Sequence, residues 1–332
     1  MGVTIKDIAI KLNISKAAVS KALNDKEDIS IELKDKVKKT AKEMGYSPNY
    51  FAKKLATKKS NTLGVFILGK ENLKGEEYYG YKFLDGIIET AVSYAYDILV
   101  FSENKNKSYT EIIREKMVEG VIFIGVDSED KKINSVKDLL LPISIIDFHL
   151  KGENISFLSS DSYKGVKSVI DYLTELGHEK IGIIIGGEAE ISKRRYFAYK
   201  KILESKNLFH KKYVYEGDFT KKSGYEIGKR LFRKKDRPTA IFSVSDLMAI
   251  GFIEGVKANG MKIPEDISVV GFDNIGFGYY SNPSLTTVDQ NPLEIGQMAV
   301  KYIMDVIENK NVNNEILIEP KLIKRKSCKK IK

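Results

Sequence analysis

Cysteine is nearly absent from this sequence, and long apolar runs are missing. Cys328 is the single cysteine among 332 residues, so no internal disulfide can form, and a reducing compartment is expected. The longest apolar stretches are pieces such as residues 120–126, well short of the roughly 18 residues that a membrane-spanning helix needs. Residues 1–11 alternate charged and apolar side chains, so no secretory signal is expected. These absences argue against a membrane protein and predict a cytoplasmic one.

Motifs of catalysis and metal binding are also missing. The sequence has no Gly-x-x-x-x-Gly-Lys-Ser/Thr phosphate loop, no His-Glu-x-x-His helix and no Gly-x-Ser-x-Gly elbow. The three histidines, His149, His178 and His210, are far apart and have no cysteine or carboxylate at metal-ligand spacing. His178, in a Leu-Gly-His segment, is interpreted as a structural residue at a helix end. We therefore expect no enzyme, no metal and no cofactor.

The positive charge is concentrated at the two ends of the chain. The net charge is +10, and residues 1–60 contribute fourteen lysines, no arginine and seven acids, a net +7. Residues 321–332 contribute six lysines, one arginine and no acid, a further +7, which leaves residues 61–320 at −4. This asymmetry favours a terminal module that meets a polyanion. The alternative, that both lysine-rich ends are merely solvated, remains open on charge alone.

The N-terminal segment has the periodicity of three short helices. Thr4 and Asp7 form a capping pattern before an apolar face with helical spacing, and Ser15 can cap a second helix, Lys16 to Leu23. A third helix starts after Ser30 and ends at Gly45. This arrangement predicts a helix-turn-helix domain whose second helix fits the DNA major groove. An ordinary three-helix bundle with a lysine-rich surface is the alternative.

A short helix is predicted next, because Ser47 can cap it and Pro48 suits its first position. Only about two turns fit before the polar run that starts at Thr57, and so short a helix is marginal in water. A partner chain, DNA or both would be needed to stabilise it. Leu55, flanked by lysines, has the character of an apolar wedge that enters the minor groove.

The middle of the chain alternates apolar runs with helical stretches, which predicts doubly wound α/β layers with parallel sheets. The predicted strands are 63–68, 98–101, 121–124, 143–146, 181–185, 240–244 and 268–272. The predicted helices are 79–96, 162–176, 192–205, 245–259 and 292–308.

Ligands of open α/β sheets lie at the carboxyl ends of the strands. The residues that directly follow predicted strands are Asp147, Phe148, Ser245, Asp246 and Asp273. Among them, Asp246 is interpreted as a helix cap rather than a ligand.

Several N-terminal motifs resemble one known family closely. They are Thr4-Ile5-Lys6-Asp7-Ile8-Ala9, Val19-Ser20-Lys21-Ala22-Leu23-Asn24, Gly45-Tyr46-Ser47-Pro48-Asn49 and Ala52-Lys53-Lys54-Leu55. The chain resembles the lactose/galactose repressor (LacI/GalR) family of bacterial transcriptional regulators along nearly its whole length. The resemblance implies an all-α helix-turn-helix headpiece, a hinge helix and a two-lobed α/β core like a periplasmic binding protein. The expected domains are headpiece 1–46, hinge and linker 47–61, core 62–320 and a basic, disordered tail 321–332. Within the core, lobe one is expected at about 62–160 and 291–320, and lobe two at about 161–290.

The resemblance assigns roles on DNA by position. It implies that Lys16, Ala17 and Lys21 face base edges, while Ser15, Ser20 and Asn24 touch the backbone. Lys21 stands where the family often has Arg, so the planar fork suited to guanine is missing. The complete implied set is Thr4, Ser15, Lys16, Ala17, Ser20, Lys21, Asn24, Asn49, Ala52 and Leu55.

The resemblance also implies a set of effector-binding residues in the cleft between the lobes. Arg195 and Asp273 match the family's effector-binding arginine and acid, with a structural ion pair as the alternative. Phe219 and Tyr79 match aromatic positions and could instead be plain core. Ser245 and Phe148 replace residues with more hydrogen-bonding capacity. The complete implied set is Tyr79, Asp147, Phe148, Arg195, Phe219, Ser245 and Asp273.

The sequence therefore predicts a homodimeric DNA-binding regulator that is controlled by an effector. We expect it to repress carbohydrate genes. Its expected partners are near-palindromic operator DNA, a carbohydrate effector and a second copy of itself. One alternative keeps this architecture and senses a nucleobase or a phosphorylated partner protein. Another, from a different class, is a cytoplasmic sugar-binding protein without DNA function.

Overall fold

A computed structural model describes residues 3–46, 59–69, 79–102, 104, 106–127, 129–231 and 236–331. The chain divides into two compact units, Met1–Ser60 and Asn61–Lys332. The predicted hinge helix, with Asn49, Ala52 and Leu55, lies outside the described residues.

The first unit contains three helices: α1 (Ile5–Leu12), α2 (Lys16–Leu23) and α3 (Ile31–Glu43). Asp7 closes the start of α1, because its carboxylate accepts the Thr4 backbone N–H at 2.8 Å and the Thr4 hydroxyl at 2.7 Å. Ser15 and Ser30 cap α2 and α3 through their hydroxyl oxygens. Each helix buries one apolar stripe, as the sequence predicts. The buried core residues are Ile8, Ala9, Val19, Ala22, Val37 and Ala41.

Lobe one of the second unit is built on a six-stranded parallel sheet in the order β11-β5-β4-β3-β1-β2. Its strands are β1 (Thr62–Ile67), β2 (Asp97–Phe101), β3 (Gly120–Ile124), β4 (Ile143–Ile146), β5 (Ile155–Ser160) and β11 (Glu315–Ile318). Its helices are α4 (Lys82–Ser93), α5 (Tyr109–Lys116) and α11 (Pro292–Ile307), with 3-10 turns at Tyr79–Tyr81 and Lys131–Asp138.

Lobe two contains a four-stranded parallel sheet in the order β7-β6-β8-β9. Its strands are β6 (Ile181–Ile185), β7 (Val214–Glu216), β8 (Ala240–Ser243) and β9 (Ser268–Val270). Its helices are α6 (Ser162–Glu175), α7 (Glu190–Ser205), α8 (Lys221–Leu231), α9 (Asp246–Lys257) and α10 (Gly276–Tyr280), with a 3-10 turn at Lys211–Tyr213. The aliphatic runs of the central strands are buried, as parallel sheets covered by helices require. The predicted α/β fold class is confirmed.

Glycines allow α8 and α9 to approach each other closely. A Cβ at Gly228 would lie 2.4 Å from the Phe252 carbonyl oxygen, and one at Gly255 would lie 2.1 Å from the Tyr225 carbonyl oxygen. Since real side chains do not approach backbone that closely, only glycine fits this helix contact.

The C-terminal tail is folded onto the rest of the second unit, whereas the sequence predicted a disordered segment. Strand β12 (Lys321–Ile323) pairs antiparallel with β10 (Thr287–Asp289). The buried Ser327 hydroxyl then donates to the Val269 carbonyl at 2.5 Å and accepts the Thr286 N–H at 2.8 Å. The prediction was wrong because it weighed the tail's charge and overlooked these backbone-directed contacts. No helix in the described ranges is long and apolar enough to cross a membrane.

Candidate functional site

Helix α2 buries its apolar face and exposes its polar face to solvent. Val19 and Ala22 are fully buried and fix the helix against its neighbours. Ser15, Lys16 and Ala17 are exposed at the N-terminus of the helix. An exposed helix start with a lysine is suited to approach a negatively charged groove.

Some of the predicted DNA-contacting groups have partners within the protein. Lys21 forms an exposed ion pair with Asp28, and this hydrogen bond lowers the pKa of the Asp28 carboxyl below its ordinary value. The Asn24 amide donates to the Ser20 carbonyl at 2.8 Å. Because the Lys21 pair is solvent-exposed, a DNA phosphate or base edge can replace Asp28 at small energetic cost.

The second unit has a cavity of about 550 Å³ between its two lobes. This volume is typical of small-molecule sites. The cavity is bounded by segments that follow β1, β3, β4, β6 and β7, at the carboxyl ends of parallel strands, where such folds bind ligands. Of the predicted effector residues, Tyr79, Asp147 and Phe219 line it.

Asp147 is held rigidly at the cavity wall. Its backbone adopts a left-handed conformation with φ of 63° directly after β4. The Ser159 hydroxyl donates to its Oδ1 atom at 2.6 Å. Burial raises the pKa of the Asp147 carboxyl, and the Ser159 hydrogen bond and Arg195 oppose that shift. The side chain is therefore an oriented hydrogen-bond acceptor.

Arg195 and Asp273 form a buried polar cluster. The Nη1 atom of Arg195 donates to the Val244 carbonyl at 2.6 Å and lies 3.6 Å from Oδ1 of Asp273. The guanidinium carbon lies 3.8 Å from the centroid of the Phe272 ring. Burial raises the pKa of Asp273, and the Arg195 charge acts in the opposite direction. The predicted pair is thus brought together, although neither residue is among the described residues lining the cavity.

Gln290 is a member of this cluster that the sequence prediction missed. Its Nε2 atom donates to Oδ1 of Asp273 at 2.6 Å. It directly follows β10, so the strand-end rule would have found it if that three-residue strand had been recognised. Tyr79 Oη, Arg195 Nε and Gln290 Oε1 are among the buried polar atoms of the described residues that have no hydrogen-bond partner there. Buried polar groups without partners are uncommon in folded proteins and point to a ligand.

Comparisons with known proteins agree with this architecture. Residues 4–49 match the model of bacterial regulatory proteins of the lacI family, and residues 170–328 match a periplasmic binding protein-like domain. A probable HTH-type transcriptional repressor ExuR of Bacillus subtilis (strain 168) is 30% identical over 322 residues, which cover 96% of this chain and 95% of that protein. The chain belongs to the LacI family.

Two further proteins are similar over nearly the full length of the chain. Catabolite control protein A of Priestia megaterium is 29% identical, with 99% of this chain and 100% of that protein covered. A crystal structure of the lac repressor dimer bound to operator and the anti-inducer ONPF has a TM-score of 0.84 and 23% identity, with 98% and 99% coverage. The family is one of regulatory proteins, which confirms that this member is a regulator and not an enzyme.

The remaining predicted cleft residues of this LacI-family chain lie elsewhere. The Ser245 hydroxyl caps α9 by accepting the Met248 N–H at 3.3 Å, and Phe148 packs against the lobe-one core. Neither is among the described residues that line the cavity. The interpretation of Asp246 as the helix cap is wrong, because Ser245 holds that position. Asp246 is buried and accepts the Thr287 hydroxyl at 2.6 Å, so it connects α9 to β10.

Proposed function

We propose that this chain binds operator DNA through α2 and changes its DNA affinity when a sugar occupies the cavity between the lobes. One observation carries the proposal. A helix-turn-helix unit and a ligand-sized cavity, lined by Tyr79 with its buried and unpartnered hydroxyl, occur in one chain of a regulator family. The proposed division of roles is DNA reading by residues 1–46, hinge formation by 47–61 and sensing by 62–320. A cytoplasmic location is part of the proposal.

A sugar fits the chemistry of the cavity wall. Phe219 and Tyr79 supply flat apolar surfaces for the C–H faces of a pyranose or furanose. Asp147 supplies an oriented acceptor for hydroxyl hydrogens, and the unpartnered Tyr79 hydroxyl can donate or accept. A LacI-family regulator of Enterococcus faecium with bound ribose and a complex of the transcriptional regulator CelR with cellobiose are similar to this chain at TM-scores of 0.71 and 0.72, with 23% and 22% identity. These features favour a carbohydrate effector and, with it, control of carbohydrate genes.

A homodimer is part of the same proposal. Strand β2 ends the lobe-one sheet, and Val100 on it is 52% exposed. Val92 on the adjacent helix α4 is 66% exposed. Exposed aliphatic side chains beside an edge strand are typical of an association face. Two copies would place two α2 helices on the half-sites of a near-palindrome.

Selection of bound fragments from random DNA duplexes tests the proposed DNA function. We expect the full chain to recover a symmetric site, and we expect Lys16→Ala with Lys21→Ala to lose that selection. Lys36→Ala, an exposed charge change on α3, is the matched control and should recover the same site. Recovery of no preferred sequence, or recovery that is unaffected by the α2 substitutions, would contradict the proposal.

A further inference from the structure

The described wall of the interlobe cavity carries charge of one sign. Its acidic residues are Asp127, Glu129, Asp147, Glu188, Glu190 and Asp218. No lysine, arginine or histidine is among the described residues that line the cavity.

Two of these carboxylates are neutralised by neighbours on α7. Arg194 holds Glu190 through Nε at 3.0 Å and Nη2 at 2.8 Å. Lys193 lies 2.6 Å from the Glu188 carboxylate. Each of these cations is paired with a carboxylate, so a ligand anion would compete with Glu188 or Glu190 for it.

The other exposed carboxylates have only neutral hydrogen-bond partners among the described residues. Asp127 accepts the Glu129 N–H at 2.9 Å. Asp218 accepts the Thr220 N–H at 2.9 Å and the Thr220 hydroxyl at 2.5 Å. Such bonds stabilise the ionised form without adding positive charge. Within the described ranges no cation is paired with Asp127, Glu129 or Asp218, so these three carboxylates add negative charge around the cavity.

The buried charged groups near the cavity do not reverse this excess of negative charge. The buried guanidinium of Arg195 lies 3.6 Å from Asp273, and neither residue is among the described residues that line the cavity. An anionic ligand group would be desolvated beside Asp147 with no cation among the described residues that line the cavity, which is unfavourable. The unpartnered hydroxyl of Tyr79, which lines the cavity, offers a hydrogen bond that a neutral polyol can satisfy.

From this charge balance we propose that the effector is an uncharged sugar and that the cavity rejects sugars bearing a phosphate or carboxylate. The inference rests on the proposed carbohydrate-sensing function and specifies the class of sugar. Neutral hydroxyls meet acceptors and unpartnered polar atoms, whereas an added anion meets Asp127, Glu129 and Asp218.

Isothermal titration of the full chain with matched ligands tests the inference. The probes are ribose and ribose 5-phosphate, and glucose, glucose 6-phosphate and glucuronate, with cellobiose and the nucleobases as further ligands. We expect an uncharged sugar to bind and its anionic counterpart to bind at least about tenfold more weakly, which corresponds to 1.4 kcal/mol. Tighter or equal binding of the anionic member overturns the inference and leaves carbohydrate sensing intact. Binding of a nucleobase with no binding of any sugar overturns the proposed function itself.

A charge-neutralised variant separates electrostatic exclusion from a simple lack of space. Asp127→Asn with Glu129→Gln keeps the shape of the cavity wall and removes two negative charges. We expect this variant to reduce the preference for the uncharged sugar several-fold. Glu265→Gln, an exposed acid outside the cavity lining, is the matched control and should keep the full preference. A preference that does not change in the neutralised variant overturns the electrostatic explanation.

Discussion

At the residue scale, His178 shows how a buried imidazole connects distant parts of lobe two. Its Nδ1 atom lies 2.9 Å from the Thr239 hydroxyl, and its Nε2 atom lies 3.0 Å from the Ser268 hydroxyl and 3.2 Å from the Lys329 carbonyl. The side chain is 1% exposed. These partners connect the end of α6 with the starts of β8 and β9 and with the tail. The structural interpretation of His178 made from the sequence agrees with this position.

His178 should make the stability of the fold depend on pH. Burial lowers the pKa of His178 below its ordinary value of 6.5, because the protonated ring is poorly solvated there. Below pH 6.5 the unfolded chain therefore takes up a proton before the folded protein does, and the free energy of unfolding falls as the pH falls. Above pH 6.5 the contribution is fully present. Urea unfolding between pH 5 and 8 should show this loss in the wild type and a flatter profile in His178→Gln.

The exposed His210 provides the control for that measurement. His210→Gln should keep the wild-type pH profile, since the ring is on the surface of the same lobe. An identical profile for wild type and His178→Gln would refute the role assigned to the buried imidazole.

At the element scale, the short strands mark the boundary of what the sequence could predict. Strands β4 and β6 were predicted with their observed bounds, because isoleucine occupies all but one position of each. Strand β5 was missed since serines occupy half of its six positions, although all six are buried. Strands β10 and β12 are three residues each, and only their mutual pairing defines them.

The site residues were predicted or missed according to how clearly the sequence marks the preceding strand. Asp147 was predicted because it follows a strong strand, and Tyr79 and Phe219 were found only through the family resemblance. Gln290 was missed because β10 has no periodicity of its own. Arg195 and Asp273 were predicted to bind the effector directly, and the structure shows them as a buried pair behind the cavity wall. A linear pattern predicts which residues follow strands, but not how deeply tertiary packing buries them.

The C-terminal tail should contribute to the stability of lobe two. A chain that ends at Ile323 keeps β12 but loses the Ser327 hydrogen bonds and the Lys329 carbonyl that faces His178. Buried donors and acceptors left without partners cost about 1–3 kcal/mol each. We expect the melting temperature of the truncated chain to fall by several degrees in differential scanning calorimetry.

Removal of Lys332 alone is the matched control for the truncation, because it shortens a basic terminus without removing any described contact. The control should melt with the full chain. If the chain ending at Ile323 also melted with the full chain, the tail would not be part of the folded core.

At the scale of the whole molecule, one residue joins the polar cluster to both lobes. Asn274 follows Asp273, and its carbonyl accepts the Lys82 ammonium of lobe one at 2.6 Å. Its side-chain nitrogen Nδ2 donates to Asp289 at 2.8 Å, and its side-chain oxygen Oδ1 accepts from Arg325 of the tail at 2.6 Å. A shift of Asp273 caused by an effector would therefore act on the interlobe contact directly. A ligand that binds one lobe arrangement better than the other can shift the population between them.

Such a shift controls the affinity for DNA only if occupancy of the cavity and operator binding are energetically coupled. The most direct measurement is operator affinity of the full chain with and without a saturating uncharged sugar that binds the cavity. We predict at least a fivefold change in Kd for the wild type. In Tyr79→Phe, which removes an unpartnered hydroxyl and no described hydrogen bond, the same change should require a higher sugar concentration. An operator Kd that stays constant while the sugar saturates the cavity would contradict the account.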